Sequence, residues 1–245
     1  MLAAIGLAGC ATKSNPRAAP AAGSRIVVIN TLEAAVTNAH MGATVFGNYN
    51  EPVLNDWDVP AAMDAYVAAL FRAEGSEVVN VVPDPDRLER LRERAHLSMG
   101  WSEFHLVPAY AEWFQDLADR HQASAVVVLR SIDLEIVPGS VARFGGYGIV
   151  SYMGFKPDRA FLFSLAIADV LAGKPLVLTE SAGPGNCRKG ISTKSMRVSN
   201  LKDLTVADLE PFRSDLSGLV ERSIGHSISS SGLIRQEVLP CEFQK

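Results

Sequence analysis

The chain has 245 residues, 48% of them hydrophobic and 20% charged, with a formal net charge of −4. That is enough chain for one sizeable core or two modest ones, and its slight acidity offers nucleic acid no electrostatic footprint. No apolar stretch approaches the roughly 20 residues needed to span a bilayer; residues 161–171 fall short and include Asp169.

At the start of the chain, Leu7-Ala8-Gly9-Cys10 resembles a bacterial lipobox, in which a small-residue cleavage site ends at a cysteine that takes a lipid. On that reading residues 1–9 are a truncated signal without a basic leader and Cys10 is the lipidation site. Residues 10–24 are small, polar and proline-bearing, a flexible tether to a single domain over 25–245. Ala11, where aspartate would mark inner-membrane retention, points to the periplasmic face of the outer membrane. The competing reading is a ragged terminus, where small residues also gather.

Residues 25–30 are a β-branched run that predicts a strand buried on both faces. A second short strand is expected at 43–46. Asp58 followed by Pro60 marks a helix start, with Val59, Met63, Tyr66, Val67 and Leu70 on one stripe and Gly75 as the stop. Residues 76–82 predict a second strand, closed by Pro83 and Pro85. A charged helix over 87–96 follows; its alternating signs read as a solvated face. The next helix carries Tyr110, Trp113, Phe114 and Leu117 and leads into a strand at 124–129, the order of a βα-layered domain.

Residues 131–136 alternate apolar and polar, which predicts a half-exposed antiparallel strand. The glycine-rich piece 143–148 separates it from strand-like sequence at 149–153. Phe161, Phe163, Leu165 and Ile167 alternate again, and Ala172-Gly173-Lys174-Pro175 turns that run back into 176–180 as a hairpin. The chain closes on a helix capped by Thr205 or Asp208, with Leu209, Phe212, Leu216, Leu219, Val220 and Ile224 on its stripe and Pro211 in its first turn. The expected fold is α/β (α+β): a mixed sheet with an antiparallel C-terminal hairpin, packed against amphipathic helices.

With Asp169 and Gly173-Lys174 at the hairpin, this order of elements resembles the small α/β domain of certain envelope lipoproteins. Those are the penicillin-binding-protein activator lipoproteins, the curli-secretion lipoprotein and the amino-terminal domain of the periplasmic TolB protein. The resemblance implies a non-catalytic, lipid-anchored module whose partners are other envelope proteins or further copies of itself. The helical insert at 84–120 departs from the simplest form of that pattern. A secretion-pore subunit is disfavoured, because Gly145-Gly146, residues 156–158 and Asp169 interrupt the strands that would cross an outer membrane.

Cys187 and Cys241 can pair in an oxidising compartment or remain separate thiols; both readings stay open. The near-matches to a nucleophile elbow, at Ser102 and Ser227, lack the closing glycine. Residues 183–193 fail as a phosphate loop, because Ile191 stands where the lysine should be, and read as a basic loop. The five histidines show no ligand spacing, and no cofactor motif is present. Asp133 and Glu135 would lie about 7 Å apart on one strand face, the basis of an alternative reading as a cell-envelope hydrolase. Phe144, Tyr147, Tyr152 and Phe155, among glycines at a hairpin tip, either form a protein-contact surface or fold back onto the sheet.

Overall fold

The computed structural model describes residues 21–42, 47–99, 104–135, 143–152, 159–179, 187–192, 201–239 and 241. Cys10, Phe155, Ser102 and the expected strand at 43–46 lie outside these residues. The fold is α/β, with two five-stranded sheets that each mix parallel and antiparallel pairs.

Strand β1 (Arg25–Asn30) is apolar on both faces because both are covered: Ile26 and Val28 enter one core cluster, Val27 and Ile29 another. β2 (Val36–Met41) and β3 (Tyr49–Val53) pair antiparallel and belong to the second sheet. Helix α1 (Val59–Ala73) starts where Asp58 accepts the Ala61 N–H at 3.3 Å. Its Met63, Val67 and Phe71 pack under Ile26 and Val28. β4 (Glu77–Asn80) then joins β1 in parallel.

Helix α2 (Pro85–Arg92), a two-stranded arm of β5 (Leu97–Met99) and β6 (Phe104–Leu106), and helix α3 (Pro108–His121) lead to β7 (Ala123–Ser131). β7 is parallel to β1 on the side away from β4. Leu91, Phe114 and Leu117 cover Val27 and Ile29, so α2 and α3 occupy the face opposite α1. The strand order therefore reverses between β1 and β7, with helices on opposite faces.

β8 (Asp133–Glu135) and β9 (Arg143–Gly145) form a small antiparallel pair. β10 (Tyr147–Tyr152) lies parallel to β2 and antiparallel to β11 (Arg159–Ser164). At Leu165 the chain changes sheet. β12 (Ala166–Ala172) runs antiparallel to β7, and β13 (Val177–Leu178) folds back on β12 as the expected hairpin. β14 (Arg188–Ser192) completes the second sheet on β11. The orders are β13-β12-β7-β1-β4 and β14-β11-β10-β2-β3. Where the sheets meet, Ile132 N–H donates to the Leu165 carbonyl at 3.0 Å and Leu165 N–H to the Gly146 carbonyl at 2.7 Å. Gly148 is required on β10, because a Cβ there would collide with the Thr37 carbonyl of β2.

The C-terminal region differs from the single helix expected. α4 (Val206–Leu209), closed by a reciprocal Thr205–Asp208 capping box, gives way to a 3-10 turn at Glu210–Phe212 before α5 (Arg213–Ser230). Pro211 is the cause, since its ring and missing N–H exclude it from a helix interior. Leu216, Val220, Ile224 and Ile228 of α5 join the main core. The tail after α5 is clamped: Arg235 and Gln236 N–H donate to Glu74 Oε1 at 2.9 and 3.1 Å, and Cys241 is disulfide-bonded to Cys187, with Cα atoms 4.6 Å apart.

Three further expectations are corrected. The glycine-rich piece at 143–148 forms β9 and the start of β10, and does not separate strands. The alternating run 161–167 is split between two sheets, because Leu165 is the bend between them. The charged helix ends at Arg92 and not His96, through a left-handed residue at Arg94 (φ 62°).

Candidate functional site

A crevice of about 930 Å³ lies at the carboxyl ends of β1 and β7, where the strand order reverses. Open α/β sheets bind ligands at such switch points, because the chain diverges to opposite faces and leaves a gap beyond the strand ends. Thr31, just past the end of β1, and Ser131, the last residue of β7, form the floor with Glu33 and Asp133. Arg94 and the β5–β6 arm form one wall, and Thr37 with Gly146 of the second sheet the other.

The floor is fixed by hydrogen bonds. Thr31 Oγ1 donates to the Leu129 carbonyl at 2.8 Å, and Arg92 Nε donates to the Thr31 carbonyl at 3.0 Å. Tyr147 OH donates to the Glu33 carbonyl, and Thr37 Oγ1 donates to the Gly145 carbonyl at 3.0 Å. The rim is apolar: Met99 and Phe104, paired across the arm, are 79% and 42% exposed.

Arg94 follows α2 as the left-handed residue of a Schellman turn: Ala95 N–H bonds the Arg90 carbonyl at 2.8 Å and Arg94 N–H the Leu91 carbonyl at 3.1 Å. Its guanidinium lies 4.6 Å from the Phe104 ring centroid. Loss of water and the charge of Arg130 hold it below the usual arginine value, against Asp169 and Asp133, which act the other way.

Behind the crevice floor sits a second polar group. Asp169 of β12 binds Arg130 of β7 through both oxygens, with Arg130 Nη2 at 3.0 Å from Oδ1 and Nε on Oδ2. His96 Nε2 stands 3.0 Å from Oδ2 and donates, because a carboxylate only accepts. His96, Arg130 and Asp169 are 0%, 3% and 5% exposed. Burial acts to raise the Asp169 pKa, but the hydrogen bond from His96 and the charge and hydrogen bonds of Arg130 outweigh it and hold the carboxyl below the ordinary range. The group joins β7, β12 and the segment after α2 in the buried interior.

Several residues singled out in the sequence fall into structural roles. Phe144 (3% exposed) packs edge-on against Phe163 at 5.0 Å, and Tyr147 (1%) lies in the main core, with its hydroxyl pKa pushed up by burial. Neither side chain offers a contact surface, because both are almost wholly buried in core clusters. Tyr152 is half-buried against Phe161 at 5.8 Å. Ser227 is buried and donates to the Ser223 carbonyl one turn back in α5 at 3.1 Å, as mid-helix serines do. Residues 188–192, expected as a basic loop, are strand β14. Asp133 is exposed in the crevice, while the Glu135 side chain lies outside the described residues. Among the described residues no three His, Cys, Asp or Glu side chains come together as a metal site.

Sequence reasoning missed Thr31, Met99, Phe104 and Arg94. The first three carry no motif. Arg94 sat inside a run read as solvated, and its one signal is a helix stop without glycine. No protein-family model matches the chain, and no curated protein matches it.

Proposed function

We propose that this chain is a lipid-anchored protein of the bacterial cell envelope that captures a partner polypeptide in the crevice between β1 and β7, without catalysis. The carrying observation is that crevice: a rigid polar floor at a switch point, with two apolar side chains exposed on its rim. The lipobox-like Leu7–Cys10 and the tether after it support the anchoring, and the Cys187–Cys241 disulfide suits an oxidising compartment. The absence of catalysis rests on how the acid–base groups are used. Asp169, His96 and Ser227 are committed to buried hydrogen bonds, and the exposed carboxylates Glu33, Glu93 and Asp133 share the crevice with no histidine among the described lining residues.

A photo-crosslinking residue at Met99, in native membranes, should give a discrete adduct. The same residue at Leu239, 66% exposed and outside the crevice, should not, and Ser131→Trp, which fills the crevice, should abolish the Met99 adduct. Equal adducts from both positions, or a Met99 adduct indifferent to Ser131→Trp, would remove the basis of the reading.

A further inference from the structure

Among the described residues the Arg94 guanidinium has no carboxylate within ion-pair distance and no hydrogen-bond partner, although the residue is half-buried and lines the crevice. Such a guanidinium is expensive to keep: it has lost part of its hydration, and Arg130 lies close enough to disfavour its charge. Its backbone adds to the cost, since the left-handed position after a helix is normally glycine's and an L-residue is strained there. Its guanidinium carbon lies over the Phe104 ring, 4.6 Å from the centroid, and among the described residues no acceptor fills its N–H fork. That fork matches a carboxylate.

The rest of the lining narrows the ligand. Glu33, Glu93 and Asp133 are exposed carboxylates in the same crevice. Arg92 and Glu89 also line the crevice but pair with each other at 3.5 Å, so among the described lining residues three carboxylates stand around the Arg94 guanidinium; that balance disfavours a dianion such as a phosphate monoester and favours a ligand that brings its own cationic group beside its carboxylate. The volume suits a short peptide segment.

We infer that Arg94 is the carboxylate-anchoring residue of the crevice, and that the ligand is a peptide bearing a carboxylate next to an ammonium, which Glu33, Glu93 and Asp133 receive. This rests on the crevice being the binding site, as proposed above. The carboxylate can come from a peptide's C-terminus or from an acidic side chain.

The test uses the full chain with Cys10→Ser to keep it in solution. Three probes are titrated while the Arg94 Nε–H resonance is followed: N-acetyl-Ala-Lys-Ala with a free carboxyl terminus, the same peptide amidated, and amidated N-acetyl-Ala-Glu-Lys-Ala. Saturable shifts are expected from the first or third probe, whichever carries the right carboxylate, and the second should bind about ten- to a hundredfold more weakly. Followed through the backbone amide resonances of Phe104 and Ser131, which every variant keeps, Arg94→Lys should retain part of the affinity and Arg94→Gly none. The Arg94→Gly thermal midpoint should lie between unchanged and about 4 °C above the parent, because relief of the left-handed strain offsets the lost ring contact.

Equal binding of the amidated Lys peptide, no saturable binding by any probe, unchanged affinity in Arg94→Gly, or a lowered midpoint marking Arg94 as structural would each overturn the assignment. A Met99 adduct that survives such a result would leave the crevice reading standing. Carboxylate-dependent binding without a Met99 adduct would instead sink the capture of a partner polypeptide alone.

Discussion

Removing the Asp169 carboxylate should be among the most damaging single changes to this fold. In Asp169→Ala the Arg130 guanidinium, 3% exposed, keeps its charge and loses both of its carboxylate contacts, while the His96 Nε2–H loses its acceptor. Breaking a buried pair by removing one partner costs about 3–5 kcal/mol. For a chain of this size that lowers the thermal midpoint by about 6–20 °C, a large part of the 5–15 kcal/mol total typical of folded proteins. Asp169→Leu combined with Arg130→Met removes both charges and should recover most of the loss, short of about 1–3 kcal/mol for the unpaired His96 donor. The pair also sets an acid limit. Because the folded-state pKa is depressed, its stabilisation is fully present above the ordinary carboxyl value of 3.8 and is lost as pH falls through the lower folded value. The double variant should lack that component of acid unfolding. Urea unfolding followed by circular dichroism, with an acid titration of each protein, measures both effects. A cost below about 1 kcal/mol for Asp169→Ala, or a double variant as unstable as the single, would refute the reasoning.

Reduction of Cys187–Cys241, or Cys241→Ser, should destabilise the fold by about 4 kcal/mol in the chain-entropy model for a bridge spanning 54 residues, and thiol labelling of the unreduced, denatured protein should find neither cysteine free. With a complete signal sequence supplied, Cys10→Ser should move the protein from the membrane pellet to the soluble periplasmic fraction; continued pelleting would end the lipid-anchor reading. Tyr147→Ser should cost about 3–5 kcal/mol by emptying a core site, so any loss of partner capture in it must be judged against its melting curve.

The sequence alone carried the layered part of the fold. Periodicity and capping chemistry placed β1, α1, β4, α3, β7 and the β12–β13 hairpin, because each is specified by residues close together in the chain: Asp58 and Pro60 start α1, and residues 172–175 turn the hairpin. Pro211 was correctly confined to a first turn, but local pattern did not show that it would split the helix. What only the tertiary structure decided was the fate of residues whose partners are distant. For Phe144 and Tyr147 the sequence left a contact surface and a place folded back onto the sheet equally open, and their burial in the packed sheets decided for the second, which nothing near residue 147 in the sequence announces. Asp169 looked like hairpin chemistry until Arg130 and His96 met it from elsewhere in the chain. The crevice exists only where two strand ends, the α2 turn and a separate sheet converge, and its residues are ordinary one by one. Local steric preference is written residue by residue along the chain, whereas burial and charge compensation depend on which segments meet, and that is settled only when the whole core packs.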